Sequence, residues 1–155
     1  MATTEITIRE SRLDDLAALI AIFAADDVGG HGDTVAPEAF RNYARAIEII
    51  AASPDQMLYV AERANEVVGS FQISIATTLT GRGASFMIIE AVQTRADMRG
   101  QGIGVRMIDF CIAEAKGRGL SRVQLTSNIK RKDAHRFYER LGFKPSHLGF
   151  KMALK

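Results

Sequence analysis

The ten residues Ser85 to Thr94 constrain this chain more than any other stretch, because Phe86-Met87-Ile88-Ile89 is apolar at four successive positions. A strand with one buried face alternates apolar and polar residues, whereas a continuous apolar run has to be covered on both faces. Arg99-Gly100-Gln101-Gly102-Ile103-Gly104 follows as a glycine-rich turn, and directly after it Val105, Ile108, Ile112 and Ala115 recur at helical spacing. A central strand that feeds a helix through a tight turn calls for a mixed α/β sheet covered by helices. With 155 residues, 47% of them hydrophobic, the chain has the apolar material for one such domain over residues 1–155.

The flanking sequence supplies the other layers. Ile6 and Ile8 alternate with polar neighbours and predict a short strand, and the apolar positions from Leu13 to Phe23 then switch to helical spacing. Leu16 to Ala25 is apolar enough to predict a helix buried on most sides, yet it is only half a membrane span. Asp26 to Asp33 is polar and glycine-rich and reads as a loop. Pro37 suits the first turn of a second helix reaching Ala52, stopped by Ser53-Pro54-Asp55. Strands are expected at Met57 to Ala61 and, after an Asn65-Glu66 turn, along Val67, Gly69, Phe71, Ile73 and Ile75; Gly81-Arg82-Gly83 turns the chain into the central strand. Gly117 and Gly119 end the helix after the glycine turn, and a strand is expected at Arg122 to Ser127. A last helix carries Ala134, Phe137, Tyr138 and Leu141 with Gly142 as its cap, and alternating Phe150, Met152 and Leu154 predict a closing strand.

Charge and cysteine content narrow the function. Twenty Lys and Arg against 18 Asp and Glu leave a net charge of +2, too small to mark a nucleic-acid or membrane-surface binder, so any bound anion has to be held locally. Cys111 is the single cysteine, which excludes an intramolecular disulfide and a zinc site of the usual spacing, and no metal is expected. Glu5, Arg9 and Glu10 interrupt the apolar core that a secretory signal needs. A cytoplasmic, reducing setting is the expectation.

The chemistry concentrates at the Arg99 to Gly104 turn. Glycines there remove side chains, so backbone N–H groups converge on an anion at a helix N-terminus, where the helix dipole favours negative charge. A tight connection with no ligand is the alternative. The segment lacks the Gly-Lys-Ser/Thr ending of a P-loop, and Val105 stands where a dinucleotide fingerprint has its third glycine.

Arg99, Gly102 and Gly104 match an (Arg/Gln)xxGx(Gly/Ala) signature, and Ala134-His135-Arg136-Phe137-Tyr138-Glu139-Arg140-Leu141-Gly142-Phe143 is similar to an AxxFYxxLGF helix. Together, and in this order, they resemble the GNAT N-acetyltransferases, which use acetyl-coenzyme A on a mostly antiparallel mixed sheet. The resemblance implies that Arg99, Gly100, Gln101, Gly102, Ile103 and Gly104 hold the coenzyme's pyrophosphate. It implies that Val92, Gln93 and Thr94 pair their backbone with the pantetheine arm and aim an N–H at the acetyl carbonyl, where developing negative charge needs a fixed donor. Tyr138 would be the general acid at the thioester sulfur. A phenol (pKa about 10) protonates a thiolate (about 8.5) only where that thiolate is otherwise poorly stabilised, so its part includes a hydrogen bond; core packing beside Phe137 is the competing reading.

Glu90 has strand parity with Phe86, Ile88 and Val92, and a carboxylate in such surroundings has a raised pKa that suits a base at neutral pH. The resemblance gives it that role toward the acceptor ammonium, directly or through water; a buried salt bridge is the alternative. Arg131 replaces the asparagine that many members carry three residues before the helix alanine, which leaves Asn128 for the pantetheine contact. Lys130, Arg131 and Lys132 either meet the coenzyme's 3′-phosphate or form solvated surface. The loop with Asp26, Asp27, His31 and Asp33 falls where the family shapes its acceptor pocket, and its acids suit a cationic amine. Cys111, inside a helical stripe, reads as a small core residue, so direct attack in a ternary complex is expected over an acetyl-cysteine route. The resulting expectation is acetyl transfer from acetyl-CoA to a primary amine of a small molecule or peptide N-terminus, in a chain that forms a homodimer as many members do. The alternatives are a non-catalytic acyl-CoA-binding regulatory module and, less well supported by these residues, a nucleotide-binding protein.

Overall fold

The computed structural model describes residues 5–28 and 31–155; residues 1–4 and, within the expected loop, Gly29 and Gly30 lie outside the described residues. Among the described residues, five strands form one sheet whose spatial order follows the chain: β1 (Thr7–Glu10), β2 (Gln56–Arg63), β3 (Glu66–Thr77), β4 (Ser85–Thr94) and β5 (Val123–Leu125). The first three pairings are antiparallel. β4 and β5 are parallel, because the chain returns between them through a crossover helix. α1 (Leu16–Ala24) and α2 (Phe40–Ala52) connect β1 to β2, the single-turn α3 (Thr80–Gly83) joins β3 to β4, α4 (Ile103–Gly117) is the crossover, and α5 (Lys132–Arg140) follows β5.

The two-faced apolar run sits where its pattern requires. Ile103, Met107, Ile108, Cys111 and Ala115 of α4 pack with Tyr59, Phe71, Ile73, Met87 and Ile89 of the sheet, and Leu16, Ile20 and Ile47 of α1 and α2 close a second cluster with Leu58. Leu58 and Tyr59 are successive residues of β2, so the clusters lie on opposite faces of the sheet. The stripe of α4 is offset from the expected one: Val105 is 39% exposed, and Ile103, Met107 and Cys111 take the inward positions. α1 is buried along one side only, through Leu16, Leu19, Ile20 and Ile22, while Ala17, Ala18 and Ala21 face out.

Three boundaries also differ. The β2–β3 hairpin turns at Ala64 and Asn65, both left-handed at φ 50° and 63°, one residue earlier than expected, since a two-residue turn of this hand needs positive φ at both centres. β5 covers only Val123–Leu125 of the expected Arg122 to Ser127. The closing strand does not form: residues 143–155 hold no helix, turn or strand, and Phe150, Met152 and Leu154 are 85–90% exposed. Alternation creates a face, but a strand exists only against a partner strand, and among the described residues none lies beside these.

Candidate active site

The site begins with a fault in β4. Gln72 pairs with Glu90 and Ser70 with Gln93, so Ala91 and Val92 together oppose the single residue Phe71. Ala91 absorbs the extra residue with φ 52°, a left-handed conformation that costs a non-glycine residue and marks a bulge. Glu90 keeps its strand parity with Phe86 and Ile88, while the bulge takes Val92 out of that register, and Glu90 itself is exposed rather than buried in an apolar setting. Beyond Ile89 the two strands part. β5 ends at Leu125, paired to Ile89, while β4 runs on to Thr94, and the edge of Glu90 to Thr94 that faces away from β3 has no strand beside it. Val92, Gln93 and Thr94 thus line an open slot whose backbone is available to an extended ligand arm.

The N-terminus of α4 lies at the end of that strand. Gly102 is its N-cap at φ 81°, a left-handed conformation natural to glycine. No side chain caps this end and its first turn carries no acid, so the first amides of the helix are left for an external acceptor. Arg99 and Arg106 are exposed nearby in sequence, and Arg63 donates to the Gln101 side chain at 2.6 Å. Gly104 matters for packing instead, since a Cβ there would stand 3.1 Å from the Phe137 ring, and its hydrogen lets α5 close against α4. An uncapped helix end, a glycine turn and neighbouring guanidinium groups fit a pyrophosphate. The residues from Arg99 to Gly104 would hold it.

α5 brings Tyr138 into the same layer. Its ring makes edge contacts with Phe137 at 5.2 Å and Phe143 at 5.8 Å, so the packing role and the chemical role coexist in one residue. Burial pushes its phenol above the ordinary value, with the charge of Arg131 opposing in part. Its hydroxyl thus stays protonated at neutral pH. Cys111 is fully buried, and its thiol is pushed up to about 12 by desolvation, which removes thiolate character.

Polar ties hold the mouth. Gln93 donates from Nε2 to Asp26 at 2.9 Å, Arg131 donates to the same carboxylate oxygen, and the Val28 amide donates to the other at 3.2 Å. One carboxylate therefore joins the α1–α2 loop, the end of β4 and the start of α5. Burial raises the Asp26 pKa, but the bonds from Gln93 and Arg131 outweigh it and hold the group below the usual carboxylate range. Asp33 accepts from the Tyr43 hydroxyl at 2.8 Å, while Asp27 and His31 are exposed. Two of the three acids expected to meet an amine are thus engaged within the protein. Phe23, Asp26, Asp27, His31, Gly32 and Asp33 line a small cavity of about 170 Å³. Asn128 accepts the Lys130 amide at 2.9 Å and its carbonyl meets His135 Nε2 at 2.9 Å, which braces the segment leading into α5. Lys130 and Lys132 are exposed.

The Asp26–Gln93–Arg131 tie was not visible in the sequence, since its members lie 67 and 105 residues apart. The Ala91 bulge gave no signal either, because alanine is not a turn residue. Arg131 standing at an asparagine position was the one available pointer.

A glycine anion turn, a split β4 edge and a half-buried phenol on one sheet face define an acyl-coenzyme A transferase class. The chain belongs to the GNAT acetyltransferase family, whose model matches residues 16–143. It is 39% identical over 101 residues to an aminoalkylphosphonate N-acetyltransferase of Salmonella typhimurium, a match that spans 65% of this chain and 65% of that protein. It superposes with a TM-score of 0.92 on a transcriptional regulator from Bacillus halodurans C-125, at 38% identity over 97% of this chain and 100% of that one. A putative acetyltransferase from Agrobacterium tumefaciens shares the fold at a TM-score of 0.81 and 24% identity, covering 95% of this chain and 99% of that one.

Proposed function

We propose that this protein transfers the acetyl group of acetyl-CoA to the primary amine of a small molecule, by direct attack in a ternary complex, within one domain over residues 1–155. The observation that carries the reading is the adjacency of the uncapped α4 N-terminus to the strand-free edge of β4. Amides at Arg99 to Gly104 bind the pyrophosphate, and the backbone of Val92 to Thr94 holds the pantetheine arm. Asn128 adds a contact from the other side of the slot. Acetyl-CoA, when bound, supplies an activated acyl carbon. Tyr138 gives its hydroxyl proton to sulfur as the C–S bond breaks, and Glu90, an exposed carboxylate, takes the amine's proton through water. A base is needed because only the neutral amine has a free electron pair.

Family membership and the curated relative support this reading, and that relative's name sets the order of acceptor trials: aminoalkylphosphonates first, then polyamines, amino acids and peptide N-termini. Amine-dependent release of free thiol from acetyl-CoA is the test, and its absence across the panel would overturn the assignment. A non-catalytic acyl-CoA-binding module is the second reading, favoured by the name of the Bacillus halodurans neighbour; it predicts coenzyme binding with no thiol release under any amine. We further place the protein in the cytoplasm as a homodimer that binds neither nucleic acid nor membrane. The lone buried thiol supports the reducing compartment and the small net charge the lack of nucleic-acid or membrane binding, while the homodimer rests on the family resemblance alone; no described helix is long and apolar enough to cross a membrane.

A further inference from the structure

The register of the sheet gathers charge of both signs at the open end of β4. Leu58 and Val60 share one face of β2, the face on which Leu58 packs against α1 and α2. Residues directly opposite one another across a sheet share a face, so the rows Leu58–Gln72–Glu90 and Val60–Ser70–Gln93 both belong to the α1–α2 side. Glu90 and Gln93 are three residues apart and would point to opposite faces of a regular strand. The extra residue at the Ala91 bulge puts them on the same one. Their partners Gln72 and Ser70 are two residues apart on β3, which separates the two positions by about 7 Å.

Arg131 is fastened at the Gln93 position. Asp26, two residues past α1, accepts Gln93 Nε2 at 2.9 Å and Arg131 Nη2 on the same oxygen. That carboxylate is 8% exposed and the Arg131 side chain 26%, so the acid is enclosed while the guanidinium stays open to the slot. A guanidinium fork carries five donors and commonly grips an oxyanion with two of them. Here Nη2 alone donates to Asp26, and among the described residues the rest of the Arg131 fork has no partner. Its charge also favours ionisation of the Tyr138 phenol against the effect of burial, which puts the cation within electrostatic reach of the proposed acid. Asp26 thus serves as an anchor that holds a fork beside the reacting groups.

We propose that the free edge of the Arg131 guanidinium binds an oxyanion of the acceptor, a phosphonate or a carboxylate, while the amine of the same molecule lies toward Glu90. The proposal rests on the transferase reading above and names its substrate class: small zwitterions whose amine and anionic group are separated by two or three carbon atoms. Asp26 and Gln93 act as positioning residues, since both act on the acceptor through Arg131. A carboxylate and a guanidinium on one face, a strand-pair step apart, match such a molecule at both ends.

Amine-dependent thiol release with 2-aminoethylphosphonate, β-alanine and propylamine tests this in the wild type and in Asp26→Asn/Arg131→Gln, which removes both charges together and leaves no orphaned carboxylate. At least one zwitterion should exceed propylamine roughly tenfold in kcat/KM, because a site built for a polar group rejects the analogue that lacks it, and the better of the two identifies the oxyanion. In the double variant kcat/KM for that zwitterion should fall about 30-fold further than for propylamine, mostly through KM. Calorimetry with ethylphosphonate and propionate, in the presence of coenzyme A, reads the anion site without turnover: the wild type should bind one of them and the double variant about tenfold more weakly. Equal losses for all three amines make the Asp26–Arg131 pair a brace and overturn the site, as does a wild type that prefers propylamine. Failure of both anions to bind the wild type overturns it whatever the turnover. Absence of thiol release with every amine, alongside anion binding that the double variant weakens, overturns the transferase reading and leaves the anion site standing.

Discussion

The first 115 residues and the last 40 are built on different terms. From β1 through α4 the sheet is a packed interior, with Phe71, Ile73, Met87, Met107, Ile108 and Cys111 at zero exposure. After Ala115 no described residue is buried, and α5 has none. That second region is held by edge-on aromatic contacts of Phe137, Tyr138 and Phe143, by the Asp26 tie and by the Asn128 brace. Local stability follows buried contact, and elements that open for a ligand come from the weaker end. The half that carries Tyr138, the acid proposed above, is the less densely buried half of the molecule.

Unequal costs for comparable truncations test that contrast. Phe71→Ala should lose about 3–5 kcal/mol in urea unfolding, whereas Leu141→Ala, half-buried under α5, should lose no more than about 1 kcal/mol. Equal losses would erase the distinction. Tyr138→Phe should keep the ring contacts and leave stability within about 0.5 kcal/mol, while kcat falls about 10²-fold or more with little change in KM for acetyl-CoA. An unchanged kcat removes the acid role and leaves packing. Gly104→Ala places a methyl 3.1 Å from Phe137 and should cost about 1–3 kcal/mol by prising α5 from α4, along with weaker acetyl-CoA binding.

Two smaller effects concern protons. Glu90→Gln should flatten the acid limb of the kcat/KM profile, since a base works only when deprotonated; a limb identical to that of the wild type would dismiss it. Asp26 is held below its ordinary pKa in the folded state, so its contribution is present above about pH 4, the unfolded value, and fades as pH falls through the lower folded one. Asp26→Asn should therefore be less stable than the wild type at pH 7 by about 1 kcal/mol, with the gap closing below pH 4. A gap that persists at pH 3 would assign the loss to something other than the charge.

Much of this architecture was readable because its causes are local. The apolar run at Phe86 to Ile89 announced a covered central strand, and Pro37 and Ser53-Pro54 bracketed α2. The turn at Arg99 to Gly104 and the helix from Ala134 to Leu141 carried the family resemblance. What stayed hidden depends on tertiary register. Ala91 adopts a bulge that no propensity suggests, and Glu90, expected in an apolar setting, stands exposed just before it. Asp26 looked like one acid of a loop until Gln93 and Arg131 arrived from distant segments. The alternation of Phe150, Met152 and Leu154 predicts a strand, but alternation carries no information on a partner, and among the described residues no strand pairs with them.

Titration calorimetry of the wild type with acetyl-CoA, with coenzyme A and ATP as comparators, tests the central claim most directly. Micromolar binding of acetyl-CoA is expected, with no displacement of it by ATP, as the proposed pantetheine contact along β4 requires. Absence of binding by any coenzyme would make the Arg99 to Gly104 turn a structural connection, and the acetyltransferase assignment of this site would fall with it.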